Sequence, residues 1–147
     1  MGEDRPGSVT LSAVLLMVFG LILALFGFAF TVFGAMFGTL RLEPELVEEL
    51  GPVPESAGGV ILALGLVVLV WGSLEVVAAA FVLGRRAWAR YAAIVVAILG
   101  TLAGLALSLP RQDGLDPALM SATLAFAGGH AFAIWALTRN GAWFSRA

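Results

Sequence analysis

The chain has 147 residues, of which 61% are hydrophobic and 12% are charged, and its mean hydropathy is +1.01. A soluble domain is about a quarter charged and at most about half apolar, so this composition excludes a soluble globule and predicts an integral membrane protein. The net charge of −2 gives no support to nucleic-acid binding, and the lack of cysteine excludes disulfides, thiol chemistry and thiolate metal sites.

Four apolar stretches are long enough to cross a bilayer, which takes about 20 residues. They cover residues 9–38, 59–83, 89–109 and 117–137. The sequence therefore predicts an all-α integral membrane fold, a four-helix transmembrane bundle in which residues 1–147 form a single domain. The first stretch is too long for the apolar part of a signal peptide, and no convincing small-residue cleavage site follows it, so we expect a retained anchor.

The connection between the first two stretches, residues 39–58, is acidic. It holds five glutamates within residues 43–55. After Pro44, apolar and acidic residues separate onto two faces, a pattern typical of a short amphipathic helix at a membrane surface. A solvated acidic face is the favoured interpretation, and a cation site is the alternative, although the spacing matches no compact calcium loop.

Arginine is distributed unevenly between the two ends of the predicted helices. One end holds Arg5, Arg85, Arg86, Arg90, Arg139 and Arg146, whereas the other holds only Arg41 and Arg111. An excess of positive residues marks the cytoplasmic side of a membrane. We therefore expect a multi-pass membrane protein with both termini on the cytoplasmic side, anchored at the interface by aromatic residues such as Trp88.

The fourth predicted helix begins at a clear start signal. Asp116 is suited to cap the helix, and Pro117 suits its first position. At the other side of the membrane, Gly84 is expected to end the second helix before a tight turn into the third.

Small residues recur at spacings that keep them on one face of each predicted helix. They are Gly20, Gly27 and Gly34 in the first helix, Gly65 and Gly72 in the second, Gly100 and Gly104 in the third, and Ala125 and Gly129 in the fourth. Such faces let two helix backbones approach closely in a membrane. They predict a tight bundle, and they also suit self-association or binding to a larger membrane complex.

Two ionisable residues lie well inside the predicted spans. Glu75 precedes Arg85 by ten positions, and His130 precedes Arg139 by nine, so both are expected at a similar depth on two helices that run in the same direction. Glu75 shares the small-residue face of its helix. This predicts an inward orientation, since a charged side chain at the centre of a span costs about 2.5–3.5 kcal/mol even on the lenient insertion scale.

Two interpretations of this buried set remain open, with Ser73 and Thr101 as nearby hydroxyls. In the favoured one, Glu75 binds His130, or in protonated form binds Thr101 or a backbone carbonyl, and simply fixes the order of the helices. In the other, Glu75 carries a proton or cation and His130 tunes it. A haem or metal bound by His130 would need another subunit, because the chain has no second histidine.

The segment GSLEVVAAAFVLGRRAWARYAAIVVAILG, residues 72–100, resembles small four-span bacterial, actinobacterial-type membrane proteins of unknown function. In those proteins a Gly-x-Leu-Glu step on the second helix precedes an Arg-Arg-x-x-Ala-Arg turn and an apolar third helix. Trp usually follows the arginines directly there, whereas here Ala87 precedes Trp88. The resemblance implies the four-span topology and a bacterial source, and hence a bacterial plasma membrane. It implies no activity.

Function is predicted only by class. No catalytic constellation or phosphate loop is present, so we expect no enzyme activity and no cofactor. The favoured hypothesis is a structural or accessory protein of the lipid bilayer that self-associates, or binds a larger membrane complex, through its glycine and alanine faces. The alternative is a small channel or a proton- or cation-coupled transporter centred on Glu75 and His130.

Overall fold

A computed structural model describes residues 5–37, 56–109 and 116–145, and these are helical apart from short turns and ends. The helices are α1 (Gly7–Phe37), α2 (Ala57–Leu83), α3 (Ala87–Leu107), α4 (Pro117–Arg139) and the short α5 (Gly141–Ser145). The first four are long and apolar enough to cross a membrane. The predicted all-helical fold with four membrane-length helices is thus confirmed.

The acidic connection lies mostly outside the described residues. Of residues 39–58, only 56–58 belong to the described residues, and α2 begins within them at Ala57. The predicted amphipathic helix and the alternative cation site both lie outside the described residues.

The four long helices differ in length. The 31 residues of α1 and the 27 of α2 correspond to about 46 and 40 Å at about 1.5 Å per residue. The 21 residues of α3 and the 23 of α4 correspond to about 31 and 34 Å by the same rise. Because a bilayer core is about 30 Å thick, α1 and α2 must tilt or extend beyond the hydrocarbon, as expected for the first of them.

Local sequence explains where α4 begins. The Oδ1 atom of Asp116 accepts a hydrogen bond from the backbone N–H of Ala118 at 2.8 Å. Pro117 occupies the first turn, where its missing N–H leaves no helical hydrogen bond unmade. The predicted N-cap and N-terminal proline of this helix are both present.

The C-terminus of α2 is closed by a Schellman motif. The N–H of Arg86 donates to the Phe81 carbonyl at 3.1 Å, and the N–H of Arg85 donates to the Val82 carbonyl at 3.0 Å. Arg85 has a φ of 60° and so occupies the left-handed position of this motif. The helix ends next to Gly84, as predicted, but the left-handed residue is the arginine that follows it.

The described helices group into two compact units. The larger one contains α1 up to Gly20, α2 from Leu74 onward, and α3, α4 and α5; the smaller one contains the remaining parts of α1 and α2. Within the smaller unit, α1 and α2 approach so closely that a Cβ atom at Gly27 would overlap the backbone of Leu69. A Cβ atom at Gly65 would lie 2.7 Å from the Thr31 hydroxyl oxygen, so these glycines are required by helix packing.

The core of the larger unit is built from small side chains. The buried face of α3 consists of Ala89, Ala93, Ala97, Gly100 and Gly104, and that of α4 consists of Thr123, Ala127, His130, Ala133, Ala136 and Leu137. A Cβ atom at Gly104 would lie 2.9 Å from the Ala127 Cβ. Small residues at three- and four-residue spacing thus bring α3 and α4 together and leave His130 as the largest polar side chain on the shared face.

Candidate functional site: a buried glutamate and histidine

Glu75 and His130 are in direct contact in the larger unit. The Oε1 atom of Glu75 on α2 lies 3.0 Å from the Nε2 atom of His130 on α4. Both side chains are 0% exposed. The contact therefore joins two helices through residues that are 55 positions apart in the chain, within a core that is otherwise mostly apolar.

The backbone of α4 fixes the proton on the other nitrogen of the ring. The Nδ1 atom of His130 lies 2.8 Å from the carbonyl oxygen of Phe126, four residues earlier on the same helix. Because a carbonyl oxygen can only accept, Nδ1 must carry a hydrogen and donate it. A histidine oriented in this way presents Nε2 to its second partner, which here is the carboxyl group of Glu75.

The contact between Nε2 and Oε1 consequently shares one proton. Either a protonated carboxyl group donates to a neutral imidazole, or an imidazolium donates to a carboxylate. The pair carries no net charge in either form. This neutrality avoids the large free-energy cost of an uncompensated charge in a buried site.

Three further helical positions enclose the imidazole ring. The Phe19 ring of α1 stacks on it with centroids 5.1 Å apart and an angle of 15° between the planes. The Phe126 ring lies at 4.2 Å and 53°. On α3, any Cβ atom at Gly100 would overlap the imidazole, so all four long helices meet at this pair.

The two hydroxyls that the sequence places nearby bond within their own helices. Ser73 is exposed and donates to the Leu69 carbonyl at 2.8 Å. Thr101 donates to the Ala97 carbonyl at 2.9 Å. Each hydroxyl has a single hydrogen, so neither donates to Glu75.

The glycines of the predicted packing faces all lie in α1 to α4. Gly27, Gly34 and Gly65 pack within the smaller unit, and Gly100, Gly104 and Gly129 pack within the larger one. Gly20 and Gly72 are buried. Gly129 faces the Phe19 ring, whereas Ala125, four positions earlier, is exposed. The face of α4 that meets α3 is thus rotated away from the predicted Ala125–Gly129 step.

Three arginines cap the C-terminal ends of helices, a role that sequence reasoning missed. Arg5 Nη2 donates to the Leu83 carbonyl of α2 at 2.8 Å, and Arg90 Nε donates to the Leu137 carbonyl of α4 at 2.9 Å. Arg85 Nε donates to the Trp143 carbonyl of α5 at 2.6 Å. The last carbonyls of a helix lack helical partners and carry partial negative charge, so these guanidinium groups stabilise the ends of the helices.

The described residues offer little else for ligand chemistry. Among residues 5–37, 56–109 and 116–145, no three His, Cys, Asp or Glu side chains come together in a way that could hold a metal ion. A cavity of about 280 Å³ in the smaller unit is lined by the apolar side chains of Phe30, Ile61, Leu64 and Val68. The Glu75–His130 pair is therefore the candidate functional site.

Comparisons with known proteins supply no further constraint on this site. No family model, curated protein or solved structure matches the chain.

Proposed function

We propose that this protein is a structural or accessory component of its membrane, in which the Glu75–His130 pair fixes the packing of α2 against α4. The observation that carries this proposal is the enclosure of the pair by residues from all four long helices. The hydroxyls of Ser73 and Thr101 donate to carbonyls of their own helices. Neither hydroxyl donates to the pair, which favours a structural role for it.

Such a pair contributes more to the specificity of helix packing than to the free energy of unfolding. Replacing both members of a buried polar pair by apolar groups is often nearly neutral, whereas removing one member leaves the other unsatisfied at a cost. An axial shift of α2 against α4 would separate Oε1 of Glu75 from Nε2 of His130, which now lie 3.0 Å apart. The apolar faces of these helices resemble one another. We therefore expect the pair to disfavour alternative packings of α2 against α4.

We expect exposed side chains to mediate association with another copy of the chain or with a larger membrane complex. Gly27, Gly34 and Gly65 already pack against the same chain, so association through them would require α1 and α2 to separate. Large apolar side chains such as Leu25 (69% exposed) and Val67 (62% exposed) face away from the protein. In a membrane these side chains meet lipid or a partner helix.

Two substitutions at Glu75 test the structural role. In Glu75→Gln the amide N–H can donate to Nε2 of a neutral His130, so the contact between α2 and α4 is kept. In Glu75→Leu the imidazole nitrogen has no donor, which costs about 1–3 kcal/mol for a buried group. Unfolding in mild detergent, followed by circular dichroism, should show a parental midpoint for the glutamine variant and a lower midpoint for the leucine variant.

The same variants test whether the fixed bundle supports assembly. Light scattering in mild detergent should give a protein mass above the 15.3 kDa of one chain for the parent and Glu75→Gln, and a larger fraction of single chains for Glu75→Leu. A leucine variant with parental stability and parental mass would contradict the structural proposal.

Proton- or cation-coupled transport is the second candidate, and the shared proton of the pair favours it. A carrier of this kind needs a carboxyl group that gains and loses a proton, which Glu75→Gln removes while it keeps the hydrogen bond. Flux in proteoliposomes should then be abolished in a folded Glu75→Gln protein. Equal flux in the variant and the parent would reject transport through Glu75, and loss of flux in the folded variant would replace the structural proposal.

A further inference from the structure

The described arginines of the larger unit cluster at one end of the α3–α4 pair. The guanidinium of Arg90 bonds to the Leu137 carbonyl, and its Nη2 lies 3.5 Å from the carbonyl oxygen of Thr138. The start of α3 therefore adjoins the end of α4. Arg86, which precedes α3, and Arg139, the last residue of α4, accordingly lie at the same end of this pair.

These arginines divide into two sets by their contacts. Arg5, Arg85 and Arg90 donate to helix-terminal carbonyls. Arg86 and Arg139 are exposed, and their guanidinium groups make no hydrogen bond or ion pair with any residue that the structure describes. Arg86 is the N-cap residue of α3 and makes no side-chain capping bond there. The side chains of Arg86 and Arg139 therefore face outward, and no bond to a described residue neutralises their charges.

Acidic side chains do not neutralise this end within the described residues. Only two acidic side chains occur there, Glu75 and Asp116. Glu75 is buried against His130. Asp116 caps the N-terminus of α4, the opposite end of a 23-residue helix from Arg139.

Exposed aromatic side chains accompany the two outward arginines. Trp88 is 52% exposed and Tyr91 is 63% exposed in the first turns of α3, just after Arg86. The Arg139 guanidinium lies 5.4 Å from the ring centroid of Trp135, which is 48% exposed. Trp and Tyr prefer the level of the lipid headgroups, so the exposed rings indicate that this end of the α3–α4 pair, with Arg86 and Arg139, lies at the level of the headgroups.

From this juxtaposition we propose that the end of the bundle marked by Arg86 and Arg139 is a binding surface for anionic phospholipid headgroups. The two guanidinium groups pair with headgroup phosphates, and Trp88 and Trp135 pack against the adjoining glycerol and acyl regions. Attraction to anionic lipid contributes roughly a fivefold gain in affinity for each arginine near the surface. This surface does not depend on the Glu75–His130 pair or on the role proposed for it.

Tryptophan emission offers a direct measure of this lipid preference. The full chain is reconstituted in vesicles that contain brominated phosphatidylglycerol or brominated phosphatidylcholine, because bromine quenches the emission of a tryptophan that it contacts. The ratio of quenching by the two lipids gives the relative affinity of the surface for the anionic one. We expect the parent to prefer phosphatidylglycerol, and Arg86→Gln with Arg139→Gln to lose roughly fivefold of that preference for each arginine removed.

A matched double variant controls for the loss of charge. Arg41→Gln with Arg111→Gln removes two positive charges from the α1–α2 and α3–α4 connections of the sequence, and it should leave the preference unchanged. High salt should weaken the parental preference, since exposed charges are screened.

Three results would overturn the proposal. They are equal quenching by the two lipids in the parent, an unchanged preference in Arg86→Gln with Arg139→Gln, or an equal loss in the Arg41 and Arg111 control. Loss of the parental preference on addition of millimolar inorganic phosphate at constant ionic strength would instead indicate a site for a soluble anion, and would likewise reject a membrane surface.

Discussion

At the scale of single residues, the tautomer of His130 determines what the buried pair can do. Nδ1 donates to the Phe126 carbonyl within α4, so the chemistry of the pair is confined to one proton between Nε2 and Glu75. Every histidine inside a helix has a backbone carbonyl four residues earlier, so the spacing of Phe126 and His130 alone does not predict this hydrogen bond. The spacing becomes informative only when the ring is known to point inward with a second partner.

Selective ¹⁵N labelling of histidine tests this arrangement without assignment work, because the chain has a single histidine. We expect a protonated Nδ1 in the parent. In Glu75→Gln, the amide N–H donates to Nε2 of a neutral imidazole, so we expect an unprotonated Nε2 with Nδ1 unchanged. An unprotonated Nδ1 in the parent would contradict the tautomer, and Thr101→Val serves as a control that should leave both ring nitrogen signals in place.

Arg85 illustrates a compromise between backbone conformation and side-chain contacts. Its φ of 60° lies in the left-handed region, which is unfavourable for a residue with a Cβ. The Arg85 side chain offsets this cost with two contacts. Its Nε donates to the Trp143 carbonyl, and its guanidinium lies 5.1 Å from the Trp143 ring centroid. A glycine would suit the backbone and lose both contacts.

Comparing Arg85→Gly with Arg85→Ala separates these two effects. Both variants lose the guanidinium, and only alanine keeps the Cβ penalty. We expect Arg85→Ala to be the less stable of the two by about 1 kcal/mol, measured as unfolding free energy in detergent. Equal stability of the two variants would show that the left-handed conformation costs nothing at this turn.

At the scale of elements, glycine positions govern how closely the helices approach. Within the smaller unit, Gly65 contacts Thr31 of α1, whereas a Cβ atom at Gly59, on the same helix α2, would have no neighbour within 4 Å. The seven-residue spacing of glycines predicted close packing, and it could not identify the partner helix. Only the arrangement of helices in three dimensions does so.

Gly65→Ala and Gly59→Ala form a matched pair on α2. At Gly65 the new methyl group overlaps the Thr31 backbone, so we expect a loss of about 1–3 kcal/mol, the usual cost of overpacking. At Gly59 the methyl group meets open space and we expect a gain of up to about 1 kcal/mol from helix propensity. Detergent unfolding of both variants measures this difference, and equal midpoints would contradict close packing at Gly65.

Sequence reasoning at this scale succeeds where a local pattern determines the outcome. Apolar length predicted four membrane-length helices, and the Asp116–Pro117 pair predicted the start of α4. It could not find the stacking of Phe19 on His130, because Phe19 belongs to a series of similar phenylalanines and only tertiary packing distinguishes one of them. The capping roles of Arg5 and Arg90 were missed for the same reason, since each bonds to a distant helix.

At the scale of the whole molecule, the orientation in the membrane stays a prediction from the distribution of arginine. The absence of cysteine makes it testable with single substitutions that have no background. Ser56 and Ser145 are both exposed and lie at opposite ends of the predicted topology. They suit replacement because their side chains are small and lie outside the core.

In intact cells, Ser56→Cys should react with a membrane-impermeant maleimide, and Ser145→Cys should react only after the membrane is permeabilised. This result is expected if both termini are cytoplasmic, as the positive residues indicate. The reverse pattern would show that the termini face outward. Equal labelling of both cysteines in intact cells would indicate that the chain inserts in two orientations.

The capping arginines have a consequence for how such a protein can evolve. Arg5, Arg85 and Arg90 belong to the positive excess from which the orientation is predicted, and they also donate to C-terminal carbonyls of α2, α5 and α4, respectively. Moving these charges to the opposite loops would reverse the predicted insertion signal and at the same time leave three helix ends uncapped. Each step that moves one of these arginines toward the inverted distribution would therefore also weaken the fold.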